Sequence, residues 1–505
     1  MDIATPGSVT DGRAIDFAPV RILAAFAFVF AVPFVLFYRL ILSHFYTTGS
    51  FLLDSGLLAA LMYHNPALAV PESLNGGSFF ASHVAPILVV VSAVSEWLPV
   101  SMPAMFAGFV GVCHGLLGVG MLWLLVSGFG MRRSGGLLLS ALASCGFAFN
   151  GLAIDIARYP HFETFGAACL LLFFVAVVLE HWPAAVASFV LAIATREDVG
   201  LHAFGFLSVW IALNLWRGVP WRGSVRLAWF AAVGLGYAVA VILAQHVAFP
   251  GTSSFMRVYV GDPPFRHLTA ELLLTRLAGW GWLHSCIILP ALVALVWSVR
   301  ARNPYMMIGY VACVPWALLQ LCAASDLAGW MVGYYAYPFL IAMAWPWIGL
   351  LIRARQEGAG PVWRMPEAAR VLGMVALSLL PIGQSYDPGH IALPRAFLGG
   401  ATAAQRAATD RAVAAIVAAR PGLGRLVVDN SVAALRPFDF PRSEVAGWAP
   451  EPADTVVFMA QGFDAERLRA VARGLPVVYR VGGSGVWIAT DRAADVLAGL
   501  GLSGG

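Results

Sequence analysis

The sequence predicts an α-helical polytopic membrane protein with a small α/β domain at its C-terminal end. Three observations lead there. Apolar residues fill 60% of 505 positions and charged residues 11%, against roughly 25% charge in an ordinary soluble chain. About eleven apolar runs approach or exceed the length a bilayer requires. Beyond Tyr386 the runs become short and strand-like, separated by helical patterns.

Residues 1–20 are polar and read as a cytoplasmic segment. The first apolar run, 21–43, is too long for the core of a cleaved signal and reads as an anchor. Further spans are expected near 104–130, 135–153, 163–181, 183–197, 199–216, 227–248, 278–299, 305–323, 330–351 and 367–385, the fifth of the eleven being short. Arginine marks cytoplasmic span ends. Arg132 and Arg133, then Arg217, Arg222 and Arg226, then Arg300 and Arg302, then Arg353, Arg355 and Arg364 follow alternate spans. This pattern places the N-terminus in the cytoplasm and residues 386–505 outside. In a bacterium these would be the two sides of the inner membrane, with 386–505 in the periplasm. Residues 84–99 are apolar but short. Crossing there would put Arg132 and Arg133 outside, so they are expected as a juxtamembrane helix within a large first outer loop, 44–103.

In the C-terminal domain, 404–418 and 464–473 read as helices. Arg425–Asp429, Thr455–Met459, Val477–Val481 and Gly485–Thr490 read as strands, and the glycines of Val481–Gly485 as a hairpin turn. The domain has no Gly-rich phosphate fingerprint or nucleophile elbow, and reads as a binding or capping module.

Several chemistries are excluded. All 31 basic residues are Arg, so there is no lysine for a Schiff base or a Walker-type loop. The six cysteines, at 113, 145, 169, 286, 313 and 322, lie in apolar runs without CxxC spacing. A net charge of +4, with no basic stripe, gives no nucleic-acid surface. No HExxH or GxSxG motif occurs. No metal-ligand set is assigned, although histidines and carboxylates at the outer face leave a divalent metal open as a cofactor.

Ionisable residues are costly near lipid and mark function by default. Four groups fall on the expected outer side. The first holds Asp54, His64, Glu72 and His83. Asp54 reads either as the cap of a short interfacial helix or as a general base. The second is Asp155, Arg158, Tyr159, His161 and Glu163, a solvated loop in its simplest reading. The third is Arg196-Glu197-Asp198 between two apolar runs, where an internal Arg–carboxylate pair competes with a direct role. The fourth, 249–277, carries Arg257, Tyr259, Asp262, Arg266, His267 and Arg276, an arginine content suited to phosphate oxygens. Asp326, Tyr334 and Tyr335 lie at the same level.

The order of these segments carries a family resemblance. It runs from Gly49-Ser50-Phe51-Leu52-Leu53-Asp54-Ser55-Gly56 and Ser82-His83-Val84-Ala85-Pro86-Ile87-Leu88 to Tyr159-Pro160-His161-Phe162-Glu163 and Thr195-Arg196-Glu197-Asp198. The chain resembles, over roughly residues 20–490, the bacterial membrane family catalogued as domain of unknown function 2079. That family looks like a relative of the GT-C glycosyltransferases, which take a sugar from a polyprenyl-phosphate carrier at the outer face. Here Leu-Leu-Asp-Ser-Gly replaces Phe-Asp-Leu-Gly, Phe162 stands between His161 and Glu163 where the family has proline, and Arg196 stands where the family has lysine.

The resemblance implies a GT-C-like glycosyltransferase using a lipid-phosphate sugar donor. Asp54 is the expected base, His83 and Glu163 are expected with it as catalytic residues, and His161 is expected to bind substrate and shape the site. Arg196 or Arg257 would hold phosphate, Glu197 and Asp198 would orient Arg196, and Tyr335 would line the substrate. The expected partners are the polyprenyl-phosphate donor and membrane lipid. Two other classes stay open: a transporter or lipid flippase, and a non-catalytic scaffold with a periplasmic binding domain.

Overall fold

The computed structural model describes residues 18–48, 52–251, 255–357, 400–449, 452–460, 462, 464–491 and 500. Among these, six helices are long and apolar enough to cross a membrane: Pro19–Thr47, Met102–Gly128, Gly135–Arg158, Val199–Trp216, Val225–Ala248 and Pro304–Leu321. Two bent pairs, Ala270–Leu283 with Ser285–Ala301 and Asp326–Ala336 with Pro338–Gln356, bring the number to eight if each is one span. The run at 367–385 lies outside the described residues, as do 1–17 and 386–399.

Among the described residues, several of the expected runs take a different form from a single long helix. The run 278–299 turns by 80° at His284. There the His284 ring Nε2 lies 2.8 Å from the Trp330 carbonyl, and Trp280 Nε1 donates to Gly329 O at 3.0 Å. Both bonds tie the bend to a neighbouring segment. The runs at 163–181 and 183–197 become helices Glu163–Val178 and Trp182–Ile193, of 16 and 12 residues, short of a bilayer's roughly 20. The second stops before Thr195 because three consecutive charges cannot continue an apolar helix facing lipid. Within 84–99 the helix is Pro86–Ser95, about 15 Å long at 1.5 Å per residue, which is too short to span.

Small residues set the closest helix contacts, as expected where apolar surface alone gives no drive to associate. A Cβ added at Gly111 would lie 2.8 Å from Phe34 O, and one at Gly118 2.9 Å from Val29 Cγ1. The Met102–Trp123 helix thus lies directly on Ala18–Ser43. Gly200 and Gly234 meet backbone to backbone in the same way.

The helices leave two polar ends. At one, Arg355 pairs with Glu180 at 3.2 Å, and Tyr305 OH donates to Asn214 Oδ1 at 3.1 Å. There Gln356 Nε2 also donates to both Asn214 Oδ1 and Tyr305 OH. At the other, the loop after Ala18–Ser43 meets the turns beginning at Glu163, Arg196 and Phe249.

The C-terminal part holds a four-stranded sheet in the order β1-β2-β4-β3. The strands are β1 (Leu426–Val428), β2 (Thr455–Met459), β3 (Val477–Arg480) and β4 (Val486–Thr490). β1 and β2 are parallel and the other pairs antiparallel. The connection from β3 to β4 is the expected hairpin, with Gly482 and Gly483 at φ +47° and +70°, where glycine alone is unstrained. Thr402 and Gln405 close a reciprocal capping box on the Ala403–Ala419 helix.

Candidate active site

Arg196 is the centre of the second polar end. Trp182–Ile193 and Val199–Trp216 deliver Thr195-Arg196-Glu197-Asp198 on the turn between them, and Arg196 is 7% exposed. Its Nε donates to Asp198 Oδ1 at 2.7 Å, Nη2 donates to Asp198 Oδ2, and Nη1 donates to Glu163 Oε1. A buried guanidinium needs such partners, since one left unpaired would cost several kcal/mol, on the order of 3–5. Three of its donors are engaged. The guanidinium group has five, so two N–H groups lie beyond these carboxylate bonds.

Glu163 begins the helix Glu163–Val178 and is fully buried. Its second oxygen, Oε2, bonds His161 Nδ1. Glu163 thus bridges His161 and Arg196, and both of its oxygens are occupied. The carboxylate expected as catalytic is placed to hold two other groups. Burial would raise the Asp198 carboxyl, but Arg196 beside it outweighs this and holds it below the usual carboxylate range. Asp198 Oδ2 also lies 3.9 Å from His202 Nε2.

Glu197 faces the other way. Its Oε1 lies 2.8 Å from His83 Nδ1, and its Oε2 accepts the Val84 N–H at 2.9 Å. Rather than orienting Arg196, as the sequence implied, Glu197 pins the first loop to the 195–198 turn. Ile87 N donates to Ala194 O at 2.9 Å, a second tie between the same segments.

A cavity of about 360 Å³ opens beside these residues. His83, Arg196, Glu197 and Asp198 line one side. Tyr334 and Tyr335 line it too, their rings 4.4 Å apart, and the His161 ring stacks on Tyr334 at 3.9 Å. Trp316 Nε1 donates to Tyr335 O at 2.7 Å. Leu201 and Ile242 are also lining residues, and they are 39% and 42% exposed.

Asp54 sits on the π-helical turn Leu52–Gly56 and is not among the residues lining the cavity. Burial pushes its carboxyl up, with His161 and Glu163 as the charged groups it feels. The column His161–Tyr334–Tyr335 thus leads from the charge neighbours of Asp54 to the cavity wall. Arg257 does not join them. It is exposed on the turn Met256–Val260, whose Val258 and Tyr259 do line the cavity. Of the residues singled out in sequence, His83, Arg196, Glu197, Asp198, Tyr259, Tyr334 and Tyr335 share the cavity wall. His161 and Glu163 lie behind Arg196, and Asp54 neighbours them.

Sequence reasoning missed Gln245, His246, Phe249 and Trp316, all on the wall. The polar pair Gln245-His246 at the end of an apolar run was the available signal. Gln245 Nε2 donates to Phe80 O at 2.8 Å. Among the described residues no group of three His, Cys, Asp or Glu side chains is arranged to hold a metal ion. The donor set does not fit a metal, because Glu163, Asp198 and Glu197 each spend their oxygens on Arg196, a histidine or a backbone N–H.

Fold and site together define an apolar helical bundle with a charged, aromatic-walled cavity at one end and a small sheet domain. No family model matches the chain, and no curated protein matches it. Among solved structures, the chain is similar to the crystal structure of ArnT from Cupriavidus metallidurans bound to undecaprenyl phosphate. The identity is 14% and the TM-score 0.47, with 95% of this chain and 99% of that one covered.

Proposed function

We propose that the chain is a GT-C-like glycosyltransferase that moves a sugar from a polyprenyl-phosphate donor to an acceptor at the outer face of the membrane. The observation that carries this reading is the placement of Arg196. It is a buried guanidinium with two N–H groups beyond its carboxylate bonds, on the wall of a cavity whose lining also includes the exposed apolar side chains Leu201 and Ile242. A ligand with a phosphate head and a long apolar tail fits that combination. A soluble anion would gain nothing from those apolar side chains. The motif order that resembles the domain-of-unknown-function 2079 family agrees, since residues of its His83, His161–Glu163 and Arg196–Asp198 segments meet at this site.

In the proposed reaction the acceptor oxygen forms a bond to the anomeric carbon. The bond from that carbon to the phosphate oxygen breaks, and its electron pair leaves with the polyprenyl phosphate. Arg196 meets the developing charge on the phosphate with donors already oriented by Glu163 and Asp198, so little reorganisation is needed. Asp54 is the proposed base for the acceptor proton; it lies outside the cavity lining, so the acceptor must reach it past His161 and Tyr334. A carboxylate whose pKa is raised by burial is a stronger base than one in water. His83 holds the loop wall through Glu197, and Tyr334 and Tyr335 carry the aromatic surface against which a sugar ring packs, with the His161 ring stacked behind Tyr334. The sheet domain belongs on the same outer side.

Full-length protein in proteoliposomes is supplied with undecaprenyl-phosphate-linked pentose or hexose, and released undecaprenyl phosphate is followed by mass spectrometry. Wild type should release it, and Arg196→Gln should release at least about ten-fold less. Movement of the intact lipid-linked sugar between leaflets without release would replace the enzyme reading with a flippase.

A further inference from the structure

Among the described residues, the C-terminal domain bonds the stretch of chain that carries Asp54. Tyr46, 6% exposed on the π-helical turn His44–Thr48, donates its hydroxyl to Asp410 at 3.0 Å to Oδ1 and 3.2 Å to Oδ2. Asp410 lies on the Ala403–Ala419 helix. Fully buried Ser73 donates to the Pro437 carbonyl at 2.9 Å, and Arg442 bonds Asn75. The short helix Asn430–Ala433, which follows β1, packs against Leu52–Gly56.

The two π-helical turns are themselves joined. His44 Nε2 lies 3.1 Å from Ser55 Oγ, and Ser55 is the residue after Asp54. A short chain of polar contacts therefore runs from Asp410 through Tyr46 and its turn to His44, then Ser55. π-helical geometry is uncommon and held by its surroundings, and for these two largely buried turns the Tyr46–Asp410 bond is one of those supports.

We infer that Tyr46 and Asp410 are positioning residues: their hydrogen bond lets the C-terminal domain hold the Asp54 turn in its working place, so the domain is a structural part of the active site. This rests on the reading of Asp54 as the base. A capping module that bound ligand by itself would not need buried contacts to the loop segments on either side of Asp54. Neither Tyr46 nor Asp410 lines the cavity, so their effect must pass through the turn.

The test compares full-length wild type, Tyr46→Phe, Asp410→Ala, Asp410→Asn and the Tyr46→Phe/Asp410→Ala double variant in nanodiscs. Amide exchange over 52–61 is the readout, with β2 as the folding control. Both single truncations should speed exchange at 52–61 about ten-fold, the effect of losing one hydrogen bond to a charged group on a local opening. The double variant should add little to either single one, because both remove the same bond. Asp410→Asn, whose amide oxygen still accepts from the phenol, should match wild type. In the transfer assay the truncations should lower kcat and leave KM for the undecaprenyl-phosphate-linked sugar unchanged. Unchanged exchange at 52–61 in both truncations, with β2 intact, overturns the inference. Loss of the function reading shows differently: Asp54→Asn would keep transferring sugar while the exchange pattern stayed as described.

Discussion

His83 Nδ1 and Glu197 Oε1 stand 2.8 Å apart although 114 residues separate them in sequence. The same carboxylate takes the Val84 N–H, so one side chain fastens the first loop to the turn that carries Arg196. Replacing Glu197 by Ala removes both bonds and leaves a backbone donor short of its partner. The expected loss is about 1–3 kcal/mol, read as a lower thermal midpoint of the purified protein. Because His83 is partly open to solvent, His83→Ala should cost less than Glu197→Ala.

Arg196→Lys should fail despite keeping the charge. An ammonium cannot reach two carboxylates with the planar fork that serves Asp198 and Glu163. Breaking a buried pair costs about 3–5 kcal/mol, so this variant should yield much less folded protein than wild type in size-exclusion chromatography. Replacing Glu163 by Gln should be milder, since an amide can still accept from Arg196.

Asp54 gives a prediction in which stability and activity move in opposite directions. Burial raises its carboxyl above the ordinary carboxylate range, so the folded state binds a proton more readily than the unfolded one. The stability from this proton is fully present below the unfolded pKa and is lost as pH rises through the folded pKa. At neutral pH the buried charge is a cost. Asp54→Asn should therefore raise the thermal midpoint at pH 7 and have less effect near pH 4, measured by differential scanning fluorimetry. An equal shift at both pH values would contradict a buried, raised carboxyl.

Gly462 tests the sheet domain. A Cβ there would overlap Asp429 Oδ2. That carboxylate is fully buried and accepts N–H groups from Ser431, Met459 and Asp464, and burial pushes its carboxyl up to about 6. Gly462→Ala should cost about 1–3 kcal/mol through overpacking, seen as faster amide exchange in β1 and β2 with the helical bundle unchanged.

Much of the fold was legible because lipid and sheet both impose simple periods. The four strands, the helix at Ala403–Ala419 and the hairpin glycines follow from patterns within single segments. Hydropathy could not show that the run through His284 bends, because the cause is a side-chain bond to Trp330, distant in sequence. Nor could it show that the run at 183–197 ends early, since the charges at 196–198 looked like a span terminus on either reading. The site was legible as a set of costly ionisable residues, but their roles were not. Glu163 is occupied by Arg196 and His161, and Glu197 by the first loop, and both facts depend on contacts between segments far apart in the chain. The aromatic wall at Phe249 and Trp316 carried no signal that distinguishes it from ordinary membrane-facing residues.

The most direct measurement of the central claim is transfer by Asp54→Asn, with undecaprenyl-phosphate-linked sugar as donor and folded protein verified by its melting curve. A lost general base should lower the rate by about 10²–10⁴-fold with the melting temperature at or above that of wild type. Transfer at the wild-type rate by folded Asp54→Asn would contradict the account.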